Sequence, residues 1–326
     1  MTRRAVLLFA IVGTAAVVAW LWLAFESDLA AHRARVAGGS RIVDTRCGPV
    51  EISEAGPAGA TPPLLLVHGT GGGFDQGIAA APDFVARGLR VIAPSRFGYL
   101  RTPFPSDASA EAQADQFACL LDALGIDRVA IMGVSAGANS AMQFAIRHPQ
   151  RTQALILLVP AAYKPPDAAA SAPPPSPAQE AALMTLVGSD FPFWFAQRFL
   201  HDTAVRWVLA TPVEDYAQAP ADERARADAV LRQILPISAR AQGMRSDARL
   251  AAHPPRYALE AIRAPTLIIS ARNDGFGTWA SAQYSAQHIA GARFLGFERG
   301  GHLWLGHQNE VVEQTAAFII KAGAPR

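Results

Sequence analysis

Five stretches of uninterrupted apolar residues govern what this chain can fold into. They are LLLVHG (64–69), RVIAPS (90–95), RVAIMG (128–133), ALILLVP (154–160) and APTLIIS (264–270). A strand with one face in water alternates polar and apolar residues, whereas a strand covered on both faces does not, so continuous runs point to a buried parallel sheet. Helical spacing separates them: Phe117, Leu120, Leu121 and Leu124 fall at i, i+3, i+4 and i+7, and Gly125 is placed to terminate that helix. Strands separated by helices of this length make βαβ units and an α/β fold. With 326 residues, 51% of them hydrophobic, the chain can bury one large core, with or without an insertion.

The rhythm breaks once. Residues 164–177, KPPDAAASAPPPSP, hold too much proline for a helix or a central strand. They open a stretch without strand runs that lasts to about residue 263 and contains the helical patterns FPFWFAQRFL and PADERARADAVLRQIL. Because it lies between two core strands, the expected organisation is an α/β core over 41–163 and 264–326, with 164–263 inserted as a helical lid.

The N-terminus departs from a soluble pattern. Residues 5–25, AVLLFAIVGTAAVVAWLWLAF, carry no charge and at ~1.5 Å per residue can cross a ~30 Å hydrocarbon core. Arg3 and Arg4 precede the segment, Trp20 and Trp22 sit where an interfacial belt would lie, and Glu26 and Asp28 follow. We read residues 1–25 as a membrane anchor with the catalytic domain outside the cytoplasm, and 26–40 as a polar linker. A cleaved signal, which would leave the domain periplasmic or secreted, is the rival; its apolar core is normally only ~7–15 residues. The net charge of +2 and the lack of a basic run give no sign of a nucleic-acid partner. Cys47 and Cys119 cannot form a disulfide scaffold and read as two buried thiols.

Chemistry enters at AIMGVSAGANS, where Ser135 stands between Gly133 and Gly137, straight after an apolar run and before a helical pattern rich in small residues. Such a strand-to-helix turn lifts a serine hydroxyl out at the sheet edge, and it aims the Ala136 N–H and the positive end of a helix at a developing oxyanion. A serine needs a base. His302, in GGHLWLGH after the run ARFLGF, sits on a glycine-softened loop; His307 is the competitor but is expected within the next helix, and His148 beside Pro149 reads as a surface cap. The base needs an orienting acid, and Asp274 follows the run APTLIIS at the carboxyl end of a strand, where ligand sites collect in open sheets. Asn273-Asp274-Gly275 could serve merely as a turn, but the chain order Ser…Asp…His favours the acid. The second oxyanion donor is expected from LLLVHGTGGGFDQG: the Thr70 N–H, with Gly71 as the fallback. No lysine follows there in phosphate-loop spacing, and His68 reads as a residue that shapes the loop.

Taken in order, VHGTGGG, VIAPSRFGYLRTP, GVSAG, SARNDGFGT and GGH resemble the α/β-hydrolase superfamily from about residue 42 to the C-terminus, least so in the lid region. The resemblance implies an eight-stranded, mostly parallel sheet, a Ser135–His302–Asp274 triad, and no metal or organic cofactor. Members with an aspartate nucleophile are disfavoured, because position 135 is serine. The leading expectation is hydrolysis of a small-molecule carboxylic ester. Alternatives are hydrolytic C–C cleavage, acyl transfer or perhydrolysis on the same residues, and a non-catalytic, membrane-tethered binding protein that kept the fold.

Overall fold

In a computed structural model, residues 2–59, 62–165 and 188–324 are described. Eight strands form one sheet: β1 (Arg41–Val43), β2 (Val50–Ala55), β3 (Leu64–Val67), β4 (Val91–Pro94), β5 (Val129–Val134), β6 (Thr152–Leu158), β7 (Thr266–Ala271) and β8 (Arg293–Phe297). Their order across the sheet is β1-β2-β4-β3-β5-β6-β7-β8. Only the β1–β2 and β2–β4 pairs are antiparallel. All five apolar runs are strands, and ARFLGF is β8. Short β1 and β2 announce themselves weakly in sequence and are held by pairing with the edge of the buried sheet.

The continuous runs have a plain cause: successive residues of each central strand feed two different cores. Leu65, Val67, Ile131, Leu155, Leu157 and Ile268 point into one cluster, with side chains of helices α3 (Ala110–Ala123) and α4 (Gly137–Arg147). Leu64, Leu66, Met132, Ile156, Leu267 and Ile269 point into the other, with side chains of α2 (Phe74–Val85) and the C-terminal helix 308–323. Neither face can accept a polar residue without burying it unpaired.

Between β6 and β7 the described residues hold α5 (Asp190–Phe199), α6 (His201–Trp207), α7 (Val213–Gln218), α8 (Ala221–Gln233) and α9 (Ala241–Ala252), with no strand among them. The proline-rich segment falls largely on residues 166–187, outside the described ones. Two helices follow the insertion, α10 (Thr278–His288) and α11 (Gln308–Gly323).

Two expectations are corrected here. The linker read over 26–40 is helix for most of its length: α1 runs without a break over Arg3–Ala37. Phe25 and Leu29, four residues apart on one helix face, are buried against Phe193, Trp194, Leu231 and Leu235 of the insertion. Asp28 accepts a hydrogen bond from the Trp194 indole at 2.8 Å. The charged residues around Phe25 and Leu29 made the segment look like a solvated tether, and only a partner surface from distant sequence reveals the apolar face. Further back, Val6 through Val18 are exposed, and the helix is long and apolar enough to cross a membrane.

The cysteines are the second correction. Cys47, exposed between β1 and β2, is joined to buried Cys119 of α3 by a disulfide, with Cα atoms 6.0 Å apart. The two lie 72 residues apart in sequence, and only the packing of the β1–β2 edge over α3 brings them together.

Candidate active site

Ser135 follows β5 directly and takes a φ of 52°, a left-handed backbone that costs a non-glycine residue roughly 1–3 kcal/mol. Three backbone hydrogen bonds hold it: its N–H donates to Leu158 C=O at 2.9 Å, and its own C=O accepts from Ala138 at 3.0 Å and Ala161 at 3.1 Å. The flanking glycines are required by close approach. A Cβ on Gly133 would lie 2.6 Å from Ala138 Cα, and one on Gly137 would lie 2.5 Å from the His68 carbonyl oxygen. Helix α4 thus starts tight against β3 and β5, with its N-terminal end at the serine.

The loop after β3 passes beside this turn, since a Cβ on Gly69 would sit 3.7 Å from Ser135 Oγ. Among the described residues neither the Thr70 N–H nor the Ala136 N–H donates a hydrogen bond within the chain. Gly71, the fallback donor, has a φ of 77° and faces the Ile234 side chain. His68 shapes this loop as expected. The Arg96 N–H donates to its Nε2 at 3.0 Å, so Nδ1 carries the proton and donates to Gly69 C=O at 2.7 Å. Burial, reinforced by the Arg96 charge, holds the ring's pKa well below the usual range and therefore neutral.

Three residues beyond β7, Asp274 meets His302: Nδ1 of the imidazole and Oδ2 of the carboxylate are 2.7 Å apart. The Phe276 N–H donates to Oδ1 at 2.8 Å, and the Thr278 hydroxyl donates to Oδ2. Phe276 also packs edge-on against the imidazole. Asp274, buried at 6% exposure, is thus fixed from two sides and fixes the histidine in turn. Since β5, β6, β7 and β8 run parallel, the residues after β5, β7 and β8 all lie at the same edge of the sheet. His307 is not in α11 but caps its start, with its ring stacked on Phe297 at 4.0 Å. His148 ends α4 and bonds Asp115 at 2.9 Å.

One residue of this site had no signal in the sequence. Asp215, on α7, accepts hydrogen bonds from Asn273 Nδ2 at 2.6 Å, the Gly300 N–H at 2.8 Å and the Arg299 guanidinium at 2.9 Å. Asn273 Oδ1 accepts from the Gly301 N–H at 3.0 Å. Burial raises the Asp215 pKa, but Asn273, the Gly300 N–H and Arg299 together outweigh that and lower it. The carboxylate therefore ties the Asp274 loop to the His302 loop. Its partners lie 58 to 85 residues away in the chain, so only the fold identifies it.

Comparison with known proteins agrees with this architecture. The alpha/beta hydrolase fold family matches residues 62–305. A 2-hydroxymuconate semialdehyde hydrolase from Pseudomonas sp. (strain CF600) is 35% identical over 106 residues, 31% of this chain and 37% of the relative. The chain thus aligns with little more than a third of that relative's length. An alpha/beta hydrolase fold protein from Nakamurella multipartita superposes with a TM-score of 0.69 at 28% identity, covering 87% of this chain and 100% of its own. A membrane phospholipase A, 21% identical with a TM-score of 0.63, shares the fold over 99% of both chains. The parallel sheet and the family match over most of the chain lead to one conclusion: this protein belongs to the α/β-hydrolase fold family.

Proposed function

We propose that the protein hydrolyses a carboxylic ester through an acyl-enzyme formed on Ser135. His302 takes the hydroxyl proton as Ser135 attacks the carbonyl and returns it to the leaving alcohol; water then repeats the sequence and frees the acid. Asp274 keeps the imidazole in the required tautomer and stabilises its charged form. The Thr70 and Ala136 N–H groups hold the tetrahedral oxyanion. The observation that carries the reading is the left-handed Ser135 backbone, a strained conformation retained at the sheet edge that also carries the histidine–carboxylate pair. A second reading, hydrolytic C–C cleavage on the same residues, is favoured by the 35% identity to a hydrolase named for a semialdehyde of 2-hydroxymuconate.

The helices of 188–263 serve in this reading as the lid, and α1 anchors the enzyme in a membrane with the catalytic domain on the oxidising side. The Cys47–Cys119 disulfide supports that side, because such bonds persist outside the reducing cytoplasm. Trp22, still within the apolar segment, packs on Phe191 of 188–263 with ring centroids 6.1 Å apart, a contact that supports a lid close to the membrane surface. A fluorophosphonate probe should label the wild type and not Ser135→Ala. p-Nitrophenyl esters of increasing chain length, assayed beside a ring-fission dienone acid, then separate the two chemistries. Turnover of the dienone alone would replace ester cleavage with the C–C reading, and absence of labelling would remove the serine mechanism.

A further inference from the structure

The end of α1 reaches the loop beside Ser135. Arg35, 33% exposed, donates to Asp75 Oδ2 and to the carbonyls of Gln233 at 3.2 Å and Leu235 at 2.8 Å. Asp75 stands in the first turn of α2, directly after the glycine loop, and is 6% exposed. Its other partner is Arg240, fully buried, which contacts Asp75 Oδ1 at 3.2 Å and Oδ2 at 2.8 Å. The same Arg240 donates to Gly72 C=O at 2.6 Å and to Gln233 C=O at 2.8 Å. Two guanidinium groups therefore share one carboxylate and one helix-end carbonyl, joining α1, the end of α8 and the glycine loop.

A second contact path runs alongside. The cluster that takes up Phe25 and Leu29 of α1 also contains Ile234 and Leu303. Ile234 faces Gly71, where a Cβ would approach it to 3.3 Å; Leu303 is the neighbour of His302. Burial raises the Asp75 pKa, yet Arg240 and then Arg35 outweigh it and hold the carboxyl below its usual range, so the bridge is charged at neutral pH.

We propose that Arg35 is a positioning residue for the oxyanion loop, so that the membrane anchor forms part of the catalytic scaffold rather than a tether to it. The inference rests on the reading above that the Thr70 N–H stabilises the oxyanion. Arg35 touches no substrate; it fixes Asp75 and, through Arg240, the Gly72 carbonyl two residues from that donor. A loop displaced by about 1 Å forfeits roughly 10²-fold in rate. A tether, by contrast, would transmit nothing to kcat.

The test uses the full-length chain in detergent micelles, with fluorophosphonate titration to count competent sites. Arg35→Ala should lower kcat per titrated site about 10- to 100-fold, with KM within threefold. Arg35→Lys, which restores the charge but not the paired carbonyl contacts, should recover part of that loss. Arg33→Ala is the control on the same helix, since Arg33 lies 4.0 Å from Asp190 and is 59% exposed; it should match the wild type. Arg35→Ala with kcat per site within twofold of wild type overturns the proposal, as does an equal loss in Arg33→Ala. If Arg35→Ala yields no folded protein, Arg35→Gln is read by the same criterion. A wild type that fails to titrate refutes the serine mechanism instead, so the two failures are distinct.

Discussion

Replacing Asp215 by alanine should damage the enzyme more than its position on an outlying helix suggests. The change leaves the buried Gly300 N–H without its acceptor; an unsatisfied buried donor costs about 1–3 kcal/mol. Asn273 also loses a bond, but it is half-buried and can turn toward water, which puts its loss at the low end, about 0.5–1 kcal/mol. Arg299, 61% exposed, contributes little, about 0–1 kcal/mol. The total is about 1.5–5 kcal/mol, a large part of the ~5–15 kcal/mol that holds a typical protein folded. Because Gly300 and Asn273 position the loops of His302 and Asp274, kcat/KM should also fall, by roughly 10²-fold. Thermal unfolding in micelles and steady-state kinetics on a p-nitrophenyl ester measure the two effects. If Asp215→Ala costs under about 0.5 kcal/mol and leaves kcat/KM within twofold, Asp215 does not tie the loops together.

The remaining expectations concern the triad, acid stability and the disulfide. Ser135→Ala and His302→Ala should each lower kcat by roughly 10⁴-fold or more with unfolding unchanged, while His307→Ala, whose ring stacks on Phe297, should stay within tenfold; a reversed histidine result would move the base to His307. Asp274→Asn should cost on the order of 10⁴ in kcat, and a mild effect would assign the acid elsewhere. Asp75 and Asp215 both have folded pKa values below their unfolded ones, so their stabilisation is complete above about pH 4 and is lost as pH falls through the folded values. The Tm should accordingly hold from pH 7 to about 5 and drop below about 4, and Asp215→Asn should lose less on acidification than the wild type; an equal or greater loss would contradict the lowered value. Cys47→Ser should destabilise the enzyme by up to about 4 kcal/mol for a loop of 72 residues, and maleimide should label the native protein only after reduction; labelling without reduction would show that the bond is absent.

Sequence alone determined the features whose physics is local. The two cores require apolar residues on both faces of each central strand, so the strands are written as continuous runs. The turn at Ser135 requires glycines where Ala138 and the His68 carbonyl press closest, so it is written as GVSAG. Asp274 and His302 are legible for a similar reason, because each stands on a loop just past a readable strand. Tertiary structure decided everything that depends on partners far apart in the chain. Glu26 to Ala37 carry enough charge to look solvated, and only the surface formed by Phe193, Trp194, Leu231 and Leu235 makes Phe25 and Leu29 a buried face and the segment a docked helix. Asp215 and Asp75 are ordinary acidic residues near helix starts until the fold gives each a set of buried donors. The Cys47–Cys119 bond belongs to the same class: a hydrogen bond, an ion pair or a disulfide is a relation between two places, and the sequence displays only one of them at a time.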